Sequence, residues 1–359
     1  MIKRLLWVVL VCAGCSDSPS KNVVWEKTDL DALPGFHDDQ LHEVLPALSQ
    51  SCACLKRTHY MGHNNQKLIL EKEDWKAFCD GLEHAKNVKA DVKSFLKTHL
   101  VAYKICQETQ GEGTFTGYYE PLLFGSLKKH GKYQTPLYKF PGKNHRVSRE
   151  KISKGALSGK KLELVWVSDP VDAFFLEIQG SGRVQLDNGK TIRLGYAGQN
   201  GYPYVAIGKI LLDQGLMEKE KISMHSLKAW LRKNPKKAKE IMNKNPSYVF
   251  FKKLDIHHAH GPIGAQGVPL TPHRSMAVDT RYIPLGAPLW IDLDHPAKEN
   301  EKIQKIVVAQ DRGGAIKGII RGDYFWGFGK QAEHGAGLMK SKGSYYLLLP
   351  KNHVEGALF

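Results

Sequence analysis

The sequence predicts a mainly β protein built from barrels, with an α-helical N-terminal part, and three observations carry that expectation. Between residues 38 and 100, apolar side chains recur at helical spacing. From about residue 113 the texture changes to short β-type runs separated by turn residues. One helical interlude, Ala206 to Leu212 and then roughly Ser223 to Met242, divides the β-rich stretches. Short strands at this spacing, without a helix after each, suggest barrels rather than a βαβ sheet.

The chain opens with a leader. Lys3 and Arg4 precede an apolar run from Leu5 to Val11, and the segment finishes Ala13-Gly14-Cys15. This is a short secretory signal, too short to span a bilayer. The small pair before Cys15 resembles the bacterial lipoprotein cleavage box, which implies a lipidated Cys15 at the mature N-terminus. Cys12 stands where that box usually has Leu, and bulky Val11 makes Cys12 itself the poorer acceptor. Ser16 follows Cys15, and under the enterobacterial sorting rule this implies the periplasmic side of the outer membrane.

The helical part follows. Leu41, Val44, Leu45 and Leu48 keep the i, i+3, i+4, i+7 spacing, as do Trp75, Phe78, Cys79 and Leu82, and Val92, Phe95 and Leu96 mark a third short helix. Cys52, Cys54, Cys79 and Cys106 all lie in this third of the chain. An oxidising compartment makes at least one disulfide the expectation, with Cys79 on its apolar helix face as a member; four cysteines allow three pairings, and spacing does not choose. One residue between Cys52 and Cys54 does not fit a zinc finger. His257, His258 and His260 sit in a Gly-rich loop and read as solvated, so no metal is expected.

The β-type runs are TFTGYYEP, KLELVWV, AFFLEIQGSGRVQL and TIRLGYA before the interlude. After it come SYVFF, RSMAVD, PLWIDL, KIVVAQD and YYLLLP. About 340 mature residues exceed what one core usually supports, so more than one domain is expected. The formal charge is +16. In a cytoplasmic protein that would point to nucleic acid, but the leader removes the chain from it, leaving anionic envelope polymers or membrane surfaces. The Lys-rich stretch at 228 to 244 reads as a solvated helix face.

Candidate chemistry concentrates in VVAQDRGGAIKGIIRGDYFWGFGKQAE, residues 307 to 333. Asp311 closes an apolar strand, Gly313 and Gly314 allow backbone turns, and Ile319 and Ile320 lead into Arg321, Asp323 and an aromatic trio. Two carboxylates, nearby cations and a Gly-lined approach suit acid–base chemistry on a polar polymer.

Several blocks occur together and in order: GTFTGYYEP (113–121), FFLEIQGSGR (174–183), GYAGQNGYPYVAIGK (195–209), NPSYVFF (245–251), GAQGVPLTPHRSMAVD (264–279), IPLGAPLW (283–290) and QDRGGAIKGIIRGDYFWG (310–327). Through them the chain resembles the membrane-bound lytic murein transglycosylase A family. Its C-terminal part resembles the 3D domain, whose three aspartates correspond to Asp279, Asp311 and Asp323. The resemblance implies a double-psi β-barrel like that of barwin and expansins, with a second β-barrel inserted and a glycan groove between them. The implied division is a signal peptide at 1–15, N-terminal helices and the first barrel part at 16–121, the insert at 122–254, and the rest of the barrel at 255–359.

The implied reaction cleaves the β-1,4 bond between N-acetylmuramic acid and N-acetylglucosamine in peptidoglycan and leaves a 1,6-anhydromuramyl end, without a cofactor. By the resemblance Asp323 is the acid/base and Asp311 supports it, while Asp279 reads equally as support or as a strand-end turn residue. Tyr118, Tyr119 and Glu120, Gln179 and Ser181, Tyr202 and Arg321 are candidate substrate contacts. Core packing is an equal reading for Tyr119, and backbone shape alone explains the glycines beside Gln179 and Ser181. Other envelope-remodelling proteins are candidate partners. Two other readings stay open: a cellulase-like hydrolase on the same barrel, and a non-catalytic peptidoglycan-binding lipoprotein.

Overall fold

The computed structural model describes residues 23–55, 60–63, 69–87, 91–107, 111–142, 146–255 and 261–351. Cys15 and the histidines at 257, 258 and 260 lie outside the described residues. The first element is a strand that sequence patterning did not suggest, β1 (Val23–Thr28). Then come α1 (Leu45–Leu55), a two-stranded ribbon of β2 (Tyr60–His63) and β3 (Ile69–Glu71), and the helices α2 (Lys72–Asn87) and α3 (Val92–His99). The Asp91 side chain accepts from the Lys93 amide and caps α3. Leu48 and Leu55 of α1 and Trp75, Phe78 and Leu82 of α2 are buried, as the helical spacing requires. Cys52 and Cys79 join these two helices in a disulfide, so Cys79 is a member as expected.

Two sheets form the rest. Strands β4 (Leu100–Gln107) and β5 (Gly113–Glu120) belong to the first. The chain then passes through β6 (Leu122–Ser126), β7 (Thr135–Tyr138), α4 (Arg149–Ser153), β8 (Glu163–Val167), α5 (Pro170–Gln179), β9 (Gly182–Leu186) and β10 (Thr191–Gln199). The interlude supplies α6 (Ile207–Asp213), α7 (Met224–Lys233) and α8 (Pro235–Asn243), and β11 (Val249–Leu254) follows. Strands β6 to β11 make the second sheet, a half-barrel in the order β11-β10-β9-β6-β8-β7.

The run FFLEIQ, expected as a strand, is the helix α5. The Asp169 side chain accepts from the Val171 amide at 2.7 Å, Pro170 occupies the first turn, and Gly180 at φ 79° ends the helix. Val171, Phe174 and Phe175 pack among α6 to α8, while Ala173 and Leu176 pack on the half-barrel. A helix buried on two faces has no polar stripe, so its apolar run imitates a buried strand.

The C-terminal third returns to the first sheet with β12 (Ser275–Val278), β13 (Pro288–Asp294), β14 (Lys302–Asp311) and β15 (Arg321–Phe328), then α9 (Lys330–Leu338) and β16 (Lys340–Pro350). The order β16-β13-β14-β12-β15-β5, with β5 pairing back onto β16, closes a six-stranded barrel, and β4 and β1 extend it from β16. Pairs β12–β14 and β15–β5 are parallel within an otherwise antiparallel closure. Trp290, Tyr345 and Phe115 are fully buried in its core, which is continuous with that of the N-terminal helices. The fold is thus mainly β, a closed barrel and a half-barrel, with a modest helical N-terminal part. Among the described residues no helix is long and apolar enough to cross a membrane.

Candidate active site

One rung of the closed barrel brings together the residues expected to carry the chemistry. Ala277 in β12 stands opposite Asp311 of β14 on one side and Asp323 of β15 on the other, and Asp323 stands opposite Thr116 of β5. Residues directly opposite project from the same face of a sheet, so both carboxylates emerge together, their Cα atoms two strand spacings or about 10 Å apart. The next same-face pair is Tyr118 and Phe325, whose rings lie 5.1 Å apart.

Asp323 is only partly buried as a residue, but its carboxyl is enclosed by protein. Thr116 Oγ1 donates to its Oδ1 at 2.5 Å, and Arg321 Nη2 donates to the same threonine oxygen at 2.8 Å. The guanidinium therefore reaches Asp323 through a hydroxyl. Burial raises the Asp323 carboxyl above its ordinary range, outweighing the Thr116 bond and the Arg321 charge. Burial also lowers the Arg321 guanidinium, with Asp323 acting the other way.

Asp311 accepts from the amides of Ala265 (3.0 Å) and Arg312 (2.9 Å) and from the Tyr118 hydroxyl (3.1 Å). Burial nevertheless pushes its carboxyl up to about 6 against those three donors, and the Asp323 charge adds to the rise. The Tyr118 phenol is held well above its usual value by burial and by both aspartates, so it stays a donor. Two carboxyls with raised affinity for protons, a shared aromatic wall and, among the described residues, neutral donors in contact make a surface suited to giving and recovering a proton.

Asp279 plays another part. Burial opposes its ionisation, but hydrogen bonds from Arg281 and the Gly318 amide prevail and hold its carboxyl low. Arg281 Nη2 lies 2.5 Å and Gly318 N 2.8 Å from Oδ2. It therefore ties down the loop that delivers β15. Gly318 at φ 133°, not Gly313 or Gly314, takes the glycine-favouring backbone there.

Three expected substrate contacts are engaged elsewhere. The Glu120 side chain is fully buried, accepting from Arg193 Nη2 at 2.7 Å and Arg183 Nε at 2.9 Å, two cross-strand neighbours on β10 and β9. A carboxylate so enclosed cannot touch a glycan, which corrects the expectation for Glu120. The Tyr119 hydroxyl donates to Glu333 Oε1 at 2.9 Å and accepts from Lys228 Nζ at 3.1 Å, and the buried ring lies on the face opposite Tyr118. Gln179 Oε1 accepts the Tyr119 amide at 3.0 Å, joining α5 to β5. Lys228 is buried, paired with Glu333 (3.0 Å) and Asp172 (3.4 Å), and is not part of a solvated face. Ser181 is buried at the start of β9, and Tyr202 is half-buried beyond β10 with the Arg146 guanidinium 5.0 Å from its ring. The structure thus unites Asp311, Asp323, Tyr118 and Arg321 and leaves the others in supporting or separate positions.

Thr116 was not singled out from sequence. Its place two residues before Tyr118 in a strand was the available signal. Among the described residues no group of three His, Cys, Asp or Glu side chains is arranged to hold a metal ion.

Comparison with known proteins fits this arrangement. Two family models match, one described as MltA specific insert domain over residues 114–148 and 142–252 and one as 3D domain over residues 274–349. Membrane-bound lytic murein transglycosylase A of Escherichia coli is 36% identical over 249 residues, covering 67% of this chain and 67% of that protein. The chain belongs to the membrane-bound lytic murein transglycosylase A family. Among solved structures, a membrane-bound lytic murein transglycosylase from Agrobacterium tumefaciens superposes with a TM-score of 0.82 at 26% identity, over 92% of this chain and 99% of that one. The Escherichia coli family member with bound chitohexaose gives 0.73 at 27% identity, over 91% and 94%.

Proposed function

We propose that this chain is a lytic transglycosylase that cleaves the β-1,4 bond between N-acetylmuramic acid and N-acetylglucosamine in peptidoglycan, with Asp323 as its single acid/base. Protonated Asp323 gives its proton to the glycosidic oxygen as the bond to the anomeric carbon breaks. The resulting carboxylate takes the proton of the muramyl carbon-6 hydroxyl, whose oxygen closes on the anomeric carbon as a 1,6-anhydro ring. No water is consumed and the enzyme ends as it began. The observation that carries this reading is the Asp323 carboxyl, raised by burial and bonded to one hydroxyl, on a rung shared with Asp311. In this scheme Thr116 and Arg321 steady the carboxylate that forms, while Asp311 and Tyr118 orient the sugar beside it.

The relatives' names and the chitohexaose-bound relative support a glycan substrate. The mixed parallel closure of the six-stranded barrel supports a double-psi topology, with 16–121 and 255–359 building it and 122–254 inserted. The leader and the membrane-bound relatives support lipid anchoring at Cys15 on the periplasmic side of the outer membrane. A second reading, hydrolysis with Asp311 as the base, draws on the two carboxylates sharing one face of the sheet.

Mass spectrometry of digested sacculi decides between them. Anhydro products lighter than the hydrated ones by one water are expected; hydrated reducing ends would overturn the proposal. Asp323→Asn should abolish product release while glycan binding persists, and a folded variant with near wild-type release would remove Asp323 from the role.

A further inference from the structure

A cavity of about 740 Å³ lies on the half-barrel side between β7, β8 and the helices α4, α5, α7 and α8, and none of its lining residues belongs to the carboxylate rung. That volume is in the range of small-molecule sites. Its floor is aromatic: Tyr138, Phe174 and Tyr248 are all nine-tenths or more buried, and half-buried Trp166 forms a wall.

The charges lining this space are unequal. Arg149 spans the Glu177 carboxylate with two bonds of 2.8 Å, and Arg232 is paired with Asp169 at 2.8 Å. Both lining carboxylates are thus matched. Lys129, whose ammonium sits 5.3 Å from the Trp166 ring, and Lys239 on α8 remain, and among the described residues neither meets a carboxylate. Beneath them, the hydroxyls of buried Tyr138 and Tyr248 have no hydrogen-bond partner among the described residues. Both tyrosines line the cavity, so a ligand that enters it can accept from their hydroxyls. Two rim ammonium groups above two unpartnered phenols and an aromatic floor suit a ligand with carboxylates and an amide-and-methyl body.

We propose that this cavity binds a short carboxylate-bearing peptide, and that its physiological occupant is the peptide stem of the glycan strand being cleaved or of a neighbouring one. The identity of the occupant rests on the peptidoglycan reading above; the ligand class rests on the cavity alone. Carboxylates meet Lys129 and Lys239, backbone carbonyls accept from Tyr138 and Tyr248, and alanine methyl groups lie against Phe174 and Trp166.

Titration calorimetry with the free stem tetrapeptide of peptidoglycan, alongside the same peptide with its carboxyls amidated, tests this on the full chain. Saturable binding of the acid form is expected, at least about tenfold weaker for the amidated form and for Lys129→Glu with Lys239→Glu, while chitohexaose binding stays unchanged. Because both lysines are exposed, these variants should fold, and an unchanged melting temperature checks it. Tyr138→Phe with Tyr248→Phe weakens binding without altering its salt dependence. No binding to the wild type, equal binding of the amidated form, or full binding by the lysine variant would each overturn the proposal. Tetrapeptide binding by a chain that released no anhydro products would leave the peptide site standing and sink the transglycosylase reading instead.

Discussion

The molecule buries carboxylates in two contrasting ways. Against the half-barrel, Glu120 at the end of β5 lies between Arg183 and Arg193, and Glu177 of α5 takes both terminal nitrogens of Arg149. In the closed barrel, the partly buried Asp311 and Asp323 have, among the described residues, hydroxyls and amides as their direct donors, and Arg321 stands one threonine away. A bidentate guanidinium fixes a carboxylate as an anion and makes it part of the scaffold. Neutral donors leave the proton within reach. The difference teaches that burial does not by itself leave a carboxyl able to exchange its proton; the kind of partner decides.

Exchanging one member of each class is the strongest way to break this contrast. Asp323→Asn should lower turnover on peptidoglycan by about two to four orders of magnitude with little change in melting temperature. Glu120→Gln should do the reverse: with two guanidinium groups left buried, stability should fall by roughly 3–5 kcal/mol while each folded molecule keeps its turnover. Denaturant melts paired with turnover per folded molecule read both. A stable Glu120→Gln protein that has lost activity would dissolve the distinction.

Asp311 offers a smaller test through pH. Its carboxyl rises from 3.8 to about 6 on folding. The folded state therefore holds the proton more tightly, so this stabilisation is complete below pH 4 and is lost as pH rises through about 6, a change of at most about 3 kcal/mol. Asp311→Asn should flatten stability over that window and leave the protein more stable than wild type at pH 7. Melting curves from pH 4 to 7 that run parallel for the two proteins would refute the enclosed-carboxyl description.

The smallest expected effect comes from Thr116→Val, which keeps the side-chain volume and removes the hydroxyl between Arg321 and Asp323. The ionised form of Asp323 loses a donor, so its carboxyl should rise further. The high-pH limb of activity, where the acid loses its proton, should then move to higher pH, with maximal turnover falling about tenfold. A limb that stays in place would put Thr116 outside the relay.

Much of this was readable beforehand, for reasons that differ by region. Helices α1 to α3 announce themselves because each buries one face, and β14 because its apolar run stops at Asp311. Strand β4 was hidden: nearly all of Leu100–Gln107 is buried, so no alternation survives, and it follows α3 directly. The aspartates of the family blocks named Asp311 and Asp323 beforehand, and the strand register places them on one rung. The fate of Glu120 was not, because its arginines lie 63 and 73 residues away and only β9–β10 pairing brings them together. Lys228 was misread for the same reason, its partner Glu333 being 105 residues distant.

Strand β5 shows where the chain tolerates least editing. Thr116 and Tyr118 on one side meet the two aspartates, Phe115 and Tyr119 on the other meet Tyr345 and Glu333, and the strand's last residue is clamped by the second sheet. Inserting or deleting a single residue here would turn Phe115 toward the aspartates and Thr116 into the core, and would pull Glu120 from its arginines in the same stroke. Length variants and grafts of the second sheet should therefore be cut after Pro121 or within surface turns, never inside residues 113–120.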